Sequence, residues 1–479
     1  MDISVTPIAR SGRRTAGVGQ DSTTICVQGL GFVGIAMATA AAEAVGPDGR
    51  PLYRVVGVEK QGPRGERIAG DIRAGILPIA TTDARLHQAF HEAVARGNLT
   101  ATTNPAVYAE ADVVIVDINL DVQLEANPPT ANLSWIRDAA RTIGRHIRPG
   151  ALVLVETTVP PGTCEQVIRP ALAESLTERG LDPGTVHIAH SYERVMPGPH
   201  YLDSIANYWR VYAGLTPEAA DKCETFLKSI INTCDYPLTR LASTTASEMG
   251  KILENTYRAT TIALMDEWGR FAEAAGVDLF EVIDAIRMRP THANMRQPGL
   301  GVGGYCLTKD PMMAGIAARQ ILDLPDARFP LSEMAVRTNQ RMPEAAIDRA
   351  RTLLGGFAGK RVLLCGASYR SDVADTRYSP SETFYRGAMA EGAAVTVQDP
   401  LVTHWDELGL APTAEIPEWH RFDAVIFAVA HAEYGEINFS HLPENGSTVF
   451  LDANRVLSPA QVSHIRSAGY ELAFIGRGT

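Results

Sequence analysis

Short apolar runs bounded by polar or turn-forming residues recur along the first half of the chain. These runs predict buried strands at residues 24–28, 54–58, 113–116, 152–155 and 186–189. Helical periodicity lies between them, for example over residues 35–44 and 134–147. Because strands that alternate with helices form parallel sheets, this half predicts a doubly wound α/β domain.

The same pattern restarts after Pro343. Apolar runs predict strands at residues 360–366, 394–398, 424–429 and 448–451, with a helix over residues 381–390. The fold class is therefore α/β, with two Rossmann-like doubly wound domains.

A long helix is predicted between the two domains, over residues 245–276. Thr245 and Glu248 have the spacing of a capping box, and Gly276 is a natural terminating residue. Roughly 45 Å of helix is more than one domain needs, so we expect it to join the domains and to offer a self-association surface. The predicted divisions are a flexible tail over 1–23, a nucleotide domain over 24–213, a central helical domain over 214–330 and a carboxy-terminal domain over 331–479.

Composition narrows the class of protein. A chain of 479 residues exceeds one ordinary core, and a net charge of −11 argues against a nucleic-acid partner. No apolar run approaches the roughly 20 residues that span a bilayer, and the first 23 residues lack a signal-peptide core. The six cysteines have neither metal-ligand nor disulfide-framework spacing. We expect a cytoplasmic protein without metal, membrane or nucleic-acid partners.

A glycine-rich turn, Gly29-Leu30-Gly31-Phe32-Val33-Gly34, follows the first predicted strand and precedes a helix. Glycines at this spacing make the tight turn and let a pyrophosphate approach the helix amino terminus. Glu59 ends the second strand, where an acid can bind both ribose hydroxyls and would repel a 2′-phosphate. NAD is the predicted cofactor, and a solvated strand-end charge is the alternative for Glu59.

Cys306 lies two positions after a run with four glycines in six residues, Gly299 to Gly304, and four positions before Asp310. Such a backbone can approach a ligand closely and present a thiol to it. The alternative is a small buried structural cysteine. On the long helix, Lys251, Asn255 and Arg258 share one stripe, which is either a solvated face or part of a binding site.

The carboxy-terminal domain carries a loop from Gly366 to Pro380 where the first domain has its glycine turn. Arg370 and Arg377 in this loop can clamp phosphates. Surface arginines that balance nearby aspartates are the alternative.

Together these segments, from about residue 23 to the end, resemble the UDP-glucose/GDP-mannose dehydrogenase family. The resemblance implies Cys306 as nucleophile, Lys251 and Asn255 as its helix-borne partners, and Glu193 and Asp310 as active-site acids. It implies an NAD site formed by Gly29, Gly31, Phe32, Val33, Gly34, Glu59 and Thr158. It implies a UDP-sugar site formed by Arg258, Gly303, Tyr369, Arg370 and Arg377.

The resemblance also implies a reaction: two NAD⁺ oxidise the sugar's C6 alcohol to a carboxylate through a thiohemiacetal and a thioester on Cys306. Lys251 is expected to stabilise oxyanions and lower the thiol pKa, with Asn255 binding the same oxygen. Glu193 is expected to steer protons, and Asp310 to hold Lys251 and the hydrolytic water. The alternatives are an NAD-retaining epimerase or isomerase and a silent sugar-nucleotide binder.

Details of the motifs bear on the substrate. The sequence Glu254-Asn255-Thr256-Tyr257-Arg258 looks like the subgroup acting on UDP-N-acetylhexosamines, with UDP-glucose as the alternative. Ile118 and Asn119 replace the Thr-Pro that helps the family hold its water. Three further departures are Tyr305 for histidine, Arg370 for lysine and Thr308-Lys309 for a proline-containing pair. A homodimer along the central helix is expected.

Overall fold

A computed structural model describes residues 23–444 and 446–478. The predicted tail lies outside them except for Thr23, which opens the first strand. In chain order, the strands are β1 (Thr23–Gln28), β2 (Tyr53–Val58), β3 (Leu99–Thr102), β4 (Val113–Val116), β5 (Val122–Gln123), β6 (Thr130–Ala131), β7 (Leu152–Val155), β8 (His187–His190), β9 (Val211–Gly214), β10 (Thr239–Arg240), β11 (Arg361–Cys365), β12 (Ala394–Gln398), β13 (Ala424–Phe427), β14 (Val449–Asp452) and β15 (Leu472–Phe474).

The α-helices alternate with these strands. They are α1 (Phe32–Glu43), α2 (Pro63–Arg73), α3 (Ala84–Arg96), α4 (Ser134–Gly144), α5 (Arg169–Glu178), α6 (Asp203–Ala206), α7 (Pro217–Ile230), α8 (Thr244–Ala275), α9 (Leu279–Arg287), α10 (Met313–Gln320), α11 (Pro330–Leu354), α12 (Pro380–Ala390), α13 (Ala432–Gly435) and α14 (Pro459–Ser467).

The first sheet has the order β10-β9-β8-β7-β4-β1-β2-β3, with every neighbouring pair parallel except β8 and β9. Ile25 and Val27 of β1 pack on one face with α1, α3 and α7, while Cys26 packs on the other with α4 and α5. This confirms the doubly wound arrangement. The direction of winding reverses between β1 and β4, and open sheets bind ligands at the carboxyl ends of such strands.

The second sheet, β12-β11-β13-β14-β15, is entirely parallel. Its core has α11 and α12 on one face and α14 on the other. The predicted second α/β unit is therefore confirmed. Its own reversal point lies between β11 and β13, which places the loop after β11 at a ligand-binding edge.

The long helix α8 starts differently from the prediction. Ser243 is its N-cap and accepts the Ala246 N–H, so the expected capping box is wrong. Glu248 is buried instead and accepts the N–H groups of Gly162 (2.5 Å) and Cys164 (2.8 Å). Burial raises the pKa of Glu248 to about 7. This carboxyl joins α8 to the loop after β7 through two buried hydrogen bonds.

A second long helix, α11, packs along α8, and Asn339 donates to the Ala259 carbonyl across the contact (3.0 Å). Pro343 lies inside α11 rather than at a boundary between elements. The helix tolerates the missing N–H of Pro343 because α8 and the second sheet pack against its length. No helix in the described part of the chain is both long and apolar enough to cross a membrane.

Candidate active site

The glycine turn after β1 forms a cradle on the amino terminus of α1. Gly29 has φ +90°, and a Cβ there would lie 2.4 Å from the Asp117 carbonyl oxygen. A Cβ at Gly34 would lie 1.9 Å from the Gly29 oxygen. A Cβ at Gly31 would meet nothing within 4 Å, so this side of the turn is open, and the first turn of α1 has no acidic residue. A pyrophosphate fits this cradle.

Glu59 closes one end of the cradle. Its Oε1 accepts the Leu30 N–H at 2.6 Å, while Oε2 lies 3.3 Å from the Lys60 nitrogen. The carboxylate is thus fixed at the rim with capacity to accept ribose hydroxyls, which fits the adenosine half of NAD.

The loop after β7 also reaches the predicted cofactor site. Thr158 is half-buried there. Its neighbour Thr157 makes the contacts across the strand ends, donating to the carbonyl oxygens of Val116 (3.0 Å) or Ile118 (2.9 Å). Sequence reasoning missed Thr157, although the adjacent pair of threonines marked the place.

Residues far apart in sequence meet beside this cradle. The Lys251 ammonium donates to the Glu193 backbone oxygen (2.7 Å) and pairs with its carboxylate (3.2 Å). One turn along α8, the Asn255 amide donates to Asp310 Oδ2 at 2.7 Å. All four residues are buried. Lys251 keeps a third donor and Asn255 a second one, both available to a substrate oxygen.

Asp310 has a second partner that the predicted set omitted. The buried Lys309 ammonium donates to Asp310 Oδ1 at 2.8 Å and lies 4.4 Å from the centre of the Tyr305 ring. Within the described residues Asp310 accepts hydrogen bonds from Lys309 and Asn255 rather than from Lys251, on which it acts through its charge. A fully buried carboxylate needs such donors. The signal was present in sequence, since Lys309 directly precedes Asp310.

Cys306 lies among these charges; part of the residue is exposed to solvent, while protein surrounds most of its thiol. Desolvation by the surrounding protein, followed by the Asp310 charge, raises the pKa of the Cys306 thiol to about 11. Lys251 acts in the opposite direction and is outweighed. The effect of Lys251 on the thiol pKa has the expected sign, but burial and the Asp310 charge decide the net shift, which is upward.

The raised pKa has a measurable consequence for Cys306. We expect its alkylation by iodoacetamide to accelerate about tenfold per pH unit from pH 7 to 10, because the thiolate fraction grows until pH passes the thiol pKa. Peptide mass spectrometry separates Cys306 from the exposed Cys234. A rate that levels off near pH 7 would contradict the assignment.

The loop after β11 covers the cysteine loop. A Cβ at Gly303 would lie 2.6 Å from Tyr369 Cβ, and the Gly304 N–H donates to the Arg377 carbonyl (3.0 Å). The Arg377 guanidinium is held by Asp375 and stands 4.8 Å from the centre of the Phe32 ring. Arg377 therefore reaches the glycine turn of the first domain.

Two other predicted substrate residues lie further out. Arg370 is exposed and donates to the Pro197 carbonyl at 3.2 Å. Arg258 is exposed on α8 and is not part of the Cys306 cluster. The structure thus brings Gly303, Tyr369 and Arg377 to the cysteine loop but leaves Arg258 apart.

Comparison with known families gives one match along most of the chain. The NAD binding domain of the UDP-glucose/GDP-mannose dehydrogenase family matches residues 23–231. The family's central domain matches residues 245–341, and its UDP binding domain matches residues 363–459.

Individual relatives cover nearly the full length. UDP-N-acetyl-D-mannosamine dehydrogenase of Pyrococcus horikoshii is 29% identical over 95% of this chain and 99% of its own. NDP-N-acetyl-D-galactosaminuronic acid dehydrogenase of Ralstonia nicotianae is 27% identical, over 92% and 98%. The solved UDP-D-ManNAc dehydrogenase of P. horikoshii superposes with a TM-score of 0.80 at 26% identity, covering 95% of this chain and 100% of that one.

Proposed function

This chain belongs to the UDP-glucose/GDP-mannose dehydrogenase family, and on that premise we propose that it oxidises the C6 alcohol of a UDP-N-acetylhexosamine to a carboxylate. It is an NAD-dependent nucleotide-sugar dehydrogenase. The observation that carries the proposal is the convergence of Cys306, Lys251 and Asn255 beside a dinucleotide cradle. The glycine turn and Glu59 would hold the NAD, which accepts a hydride in each of two oxidations.

Cys306 supplies the covalent step. After the first oxidation, its sulfur bonds to the aldehyde carbon and the thiol proton ends on the new hydroxyl, giving a thiohemiacetal. The second oxidation leaves a thioester. Water then adds to the thioester carbonyl, the C6–sulfur bond breaks, and the sulfur regains a proton as the acid leaves.

The buried donors around Cys306 support these steps. The free donor of Lys251 and the second N–H of Asn255 can bind the substrate oxygen as negative charge develops on it. The Glu193 carboxylate, paired with Lys251, can accept the proton of the attacking water. Asp310 fixes Asn255 and Lys309 in place.

A UDP-N-acetylhexosamine is favoured over UDP-glucose for two reasons. Relatives in the comparison are named for N-acetylated amino sugars. The motif residue Glu254 is also held next to the site, where it pairs with Arg194 at 3.0 Å. UDP-glucose with the same mechanism is the alternative.

Incubating the enzyme with NAD⁺ and a panel of UDP- and GDP-sugars tests the activity. We expect two NADH per acid formed, with a UDP-N-acetylhexosamine as the best substrate and the product identified by mass. Turnover of the sugar without net NADH would favour an epimerase and overturn the proposal. A preference for UDP-glucose would overturn only the choice of sugar.

We propose that three parts of the chain have different roles. Residues 24–213 would bind NAD, residues 214–330 would carry the cysteine loop, and residues 331–479 would bind the UDP-sugar. The six free thiols suit a reducing compartment, so we place the enzyme in the cytoplasm.

We also propose a homodimer through an apolar stripe on α8. Its members are three, four or seven residues apart, which places them on one face of the helix, and each side chain is about half exposed or more. Its members are Met249, Leu253, Tyr257, Leu264, Trp268 and Phe271. An exposed apolar face of this length on a joining helix is typical of an oligomer interface.

The stripe predicts the effect of charge on assembly. The double variant Leu253→Glu/Trp268→Glu is expected to sediment as a monomer, because two charges would be buried in the interface. Ile76→Glu, on an exposed apolar residue outside the stripe, is the matched control. A wild-type protein that already sediments as a monomer would contradict the dimer.

A further inference from the structure

A second polar group lies behind the Cys306 cluster, at the carboxyl ends of adjacent strands. Asp117 follows β4, Glu156 follows β7, Ser191 follows β8, and Arg210 precedes β9. We call these four residues, together with Tyr201, the inner polar pocket. Glu156, Ser191, Tyr201 and Arg210 are almost wholly buried. None of the five was among the residues assigned to the reaction above.

The pocket contains more polar atoms than the protein satisfies. Arg210 donates to Glu156 Oε1 (3.0 Å) and to the Ser191 carbonyl (3.4 Å). Within the described residues, Asp117 Oδ2, Glu156 Oε2, Ser191 Oγ and Tyr201 Oη are buried without a hydrogen-bond partner. A buried polar atom without a partner destabilises the folded protein. Several together in a polar space are the setting in which buried water binds.

The charged groups of the inner polar pocket interact with Glu193 of the proposed active site. Burial, then the Glu156 and Glu193 charges, raise the pKa of Asp117 well above its usual range, and Arg210 opposes them. Glu193 lies two residues after Ser191 and connects the pocket to the Cys306 cluster, because its backbone oxygen and its carboxylate both bind Lys251. Its own oxygens are bound by Lys251 and by the Val195 N–H (2.5 Å). The pocket is thus an extension of the site, joined through Glu193.

We propose that Asp117 is a positioning residue for thioester hydrolysis, holding with Glu156, Ser191 and Tyr201 a chain of buried water that ends at Glu193. This rests on the proposed function. The terminal water adds its oxygen to the thioester carbonyl and gives a proton to Glu193. The C6–sulfur bond breaks with its electron pair on Cys306, which takes the proton held by Glu193, and the new carboxylic acid loses its own proton to solvent.

In this proposal Asp117 takes the place of the family's Thr-Pro, which this chain lacks, in holding the hydrolytic water. Ile118 offers no hydroxyl, and its methyl group stands 3.4 Å from where a Cβ on Gly29 would lie. Asp117, one residue earlier, carries the polar atom instead. The two oxygens of an aspartate carboxyl can bind water where the family uses a threonine hydroxyl.

Asp117→Asn tests the inference by rapid mixing with NAD⁺ and the preferred UDP-sugar. We expect a burst of two NADH per active site followed by steady turnover about 100-fold slower than wild type. Intact mass should show the acyl group on Cys306. Asp112→Asn, at the other end of β4 and on the surface, is the matched control and should turn over like wild type.

Tyr201→Phe is the second variant, because it removes only one unpartnered hydroxyl. Tyr201→Phe should show the same NADH burst followed by slower hydrolysis. This test remains valid even if the Asp117→Asn variant does not fold. Wild-type turnover in either folded variant, or loss of the burst itself, would overturn the role of Asp117. A wild-type enzyme that makes no NADH from any nucleotide sugar would instead overturn the proposed function and this inference with it.

Discussion

Replacing Cys306 with serine is expected to lower the rate of acid release by roughly 10⁴-fold or more, the scale on which loss of a covalent nucleophile is felt. A serine hydroxyl is a far weaker nucleophile than a thiol, and alkoxide is a poorer leaving group in the final hydrolysis. Binding of NAD⁺ and the UDP-sugar should persist, because neither the glycine turn nor the loop after β11 is changed. Acid is measured by mass, and ligand binding by calorimetry.

Cys234→Ser is the matched control for this variant, since Cys234 is exposed and distant in sequence from the assigned residues. It should release acid like the wild type. Undiminished acid production by the Cys306→Ser variant would refute the thioester.

Replacing Arg210 with methionine is expected to lower the free energy of unfolding by about 3–5 kcal/mol. Arg210 and Glu156 form an ion pair at 3.0 Å with both side chains buried. Removing the arginine leaves the Glu156 carboxylate uncompensated in a pocket that already raises the pKa of Glu156 through burial. Urea denaturation, followed through the unfolding transition of the first domain, measures the change in the free energy of unfolding.

The loss in the Arg210→Met variant should also depend on pH. Without Arg210 the folded protein holds a proton on Glu156 that the unfolded chain releases above the ordinary carboxyl range. Stability is therefore retained at low pH and lost as pH rises through the raised pKa. Arg240→Met, which breaks the exposed pair with Asp221, is the control and should leave the midpoint nearly unchanged. Equal midpoints for both variants would contradict the role of the buried pair.

Local patterns were sufficient for much of the fold. The run before Gly29 is buried on both faces as β1, and a strand, a glycine turn and a helix are contiguous in sequence. The same holds for β11 to β14 of the second sheet, which lie within two residues of the predicted runs, whereas β15 was not predicted. The first turn of α8 was less predictable, because Glu248 bonds to the loop after β7 instead of closing a capping box.

The cysteine motif and the polar stripe on α8 identified residues of the active-site cluster, but they did not show which side chains pair with each other. Lys251 is held by Glu193 and not by Asp310, whose partners are Asn255 and Lys309. Lys251 acts on the pKa of the Cys306 thiol in the expected direction, but desolvation outweighs the nearby lysines, so the net shift is upward. Both outcomes depend on how closely side chains from separate elements are packed.

The sequence by itself determined the two α/β units, the dinucleotide turn and the identity of the candidate nucleophile, because each depends on residues that are neighbours in the chain. Only the tertiary structure decided which charges meet. It joins Arg377 to Phe32 across two domains, pairs Arg210 with Glu156, and collects unpartnered oxygens beside Asp117. Burial and distance set the energies of these contacts, and neither quantity is local in sequence.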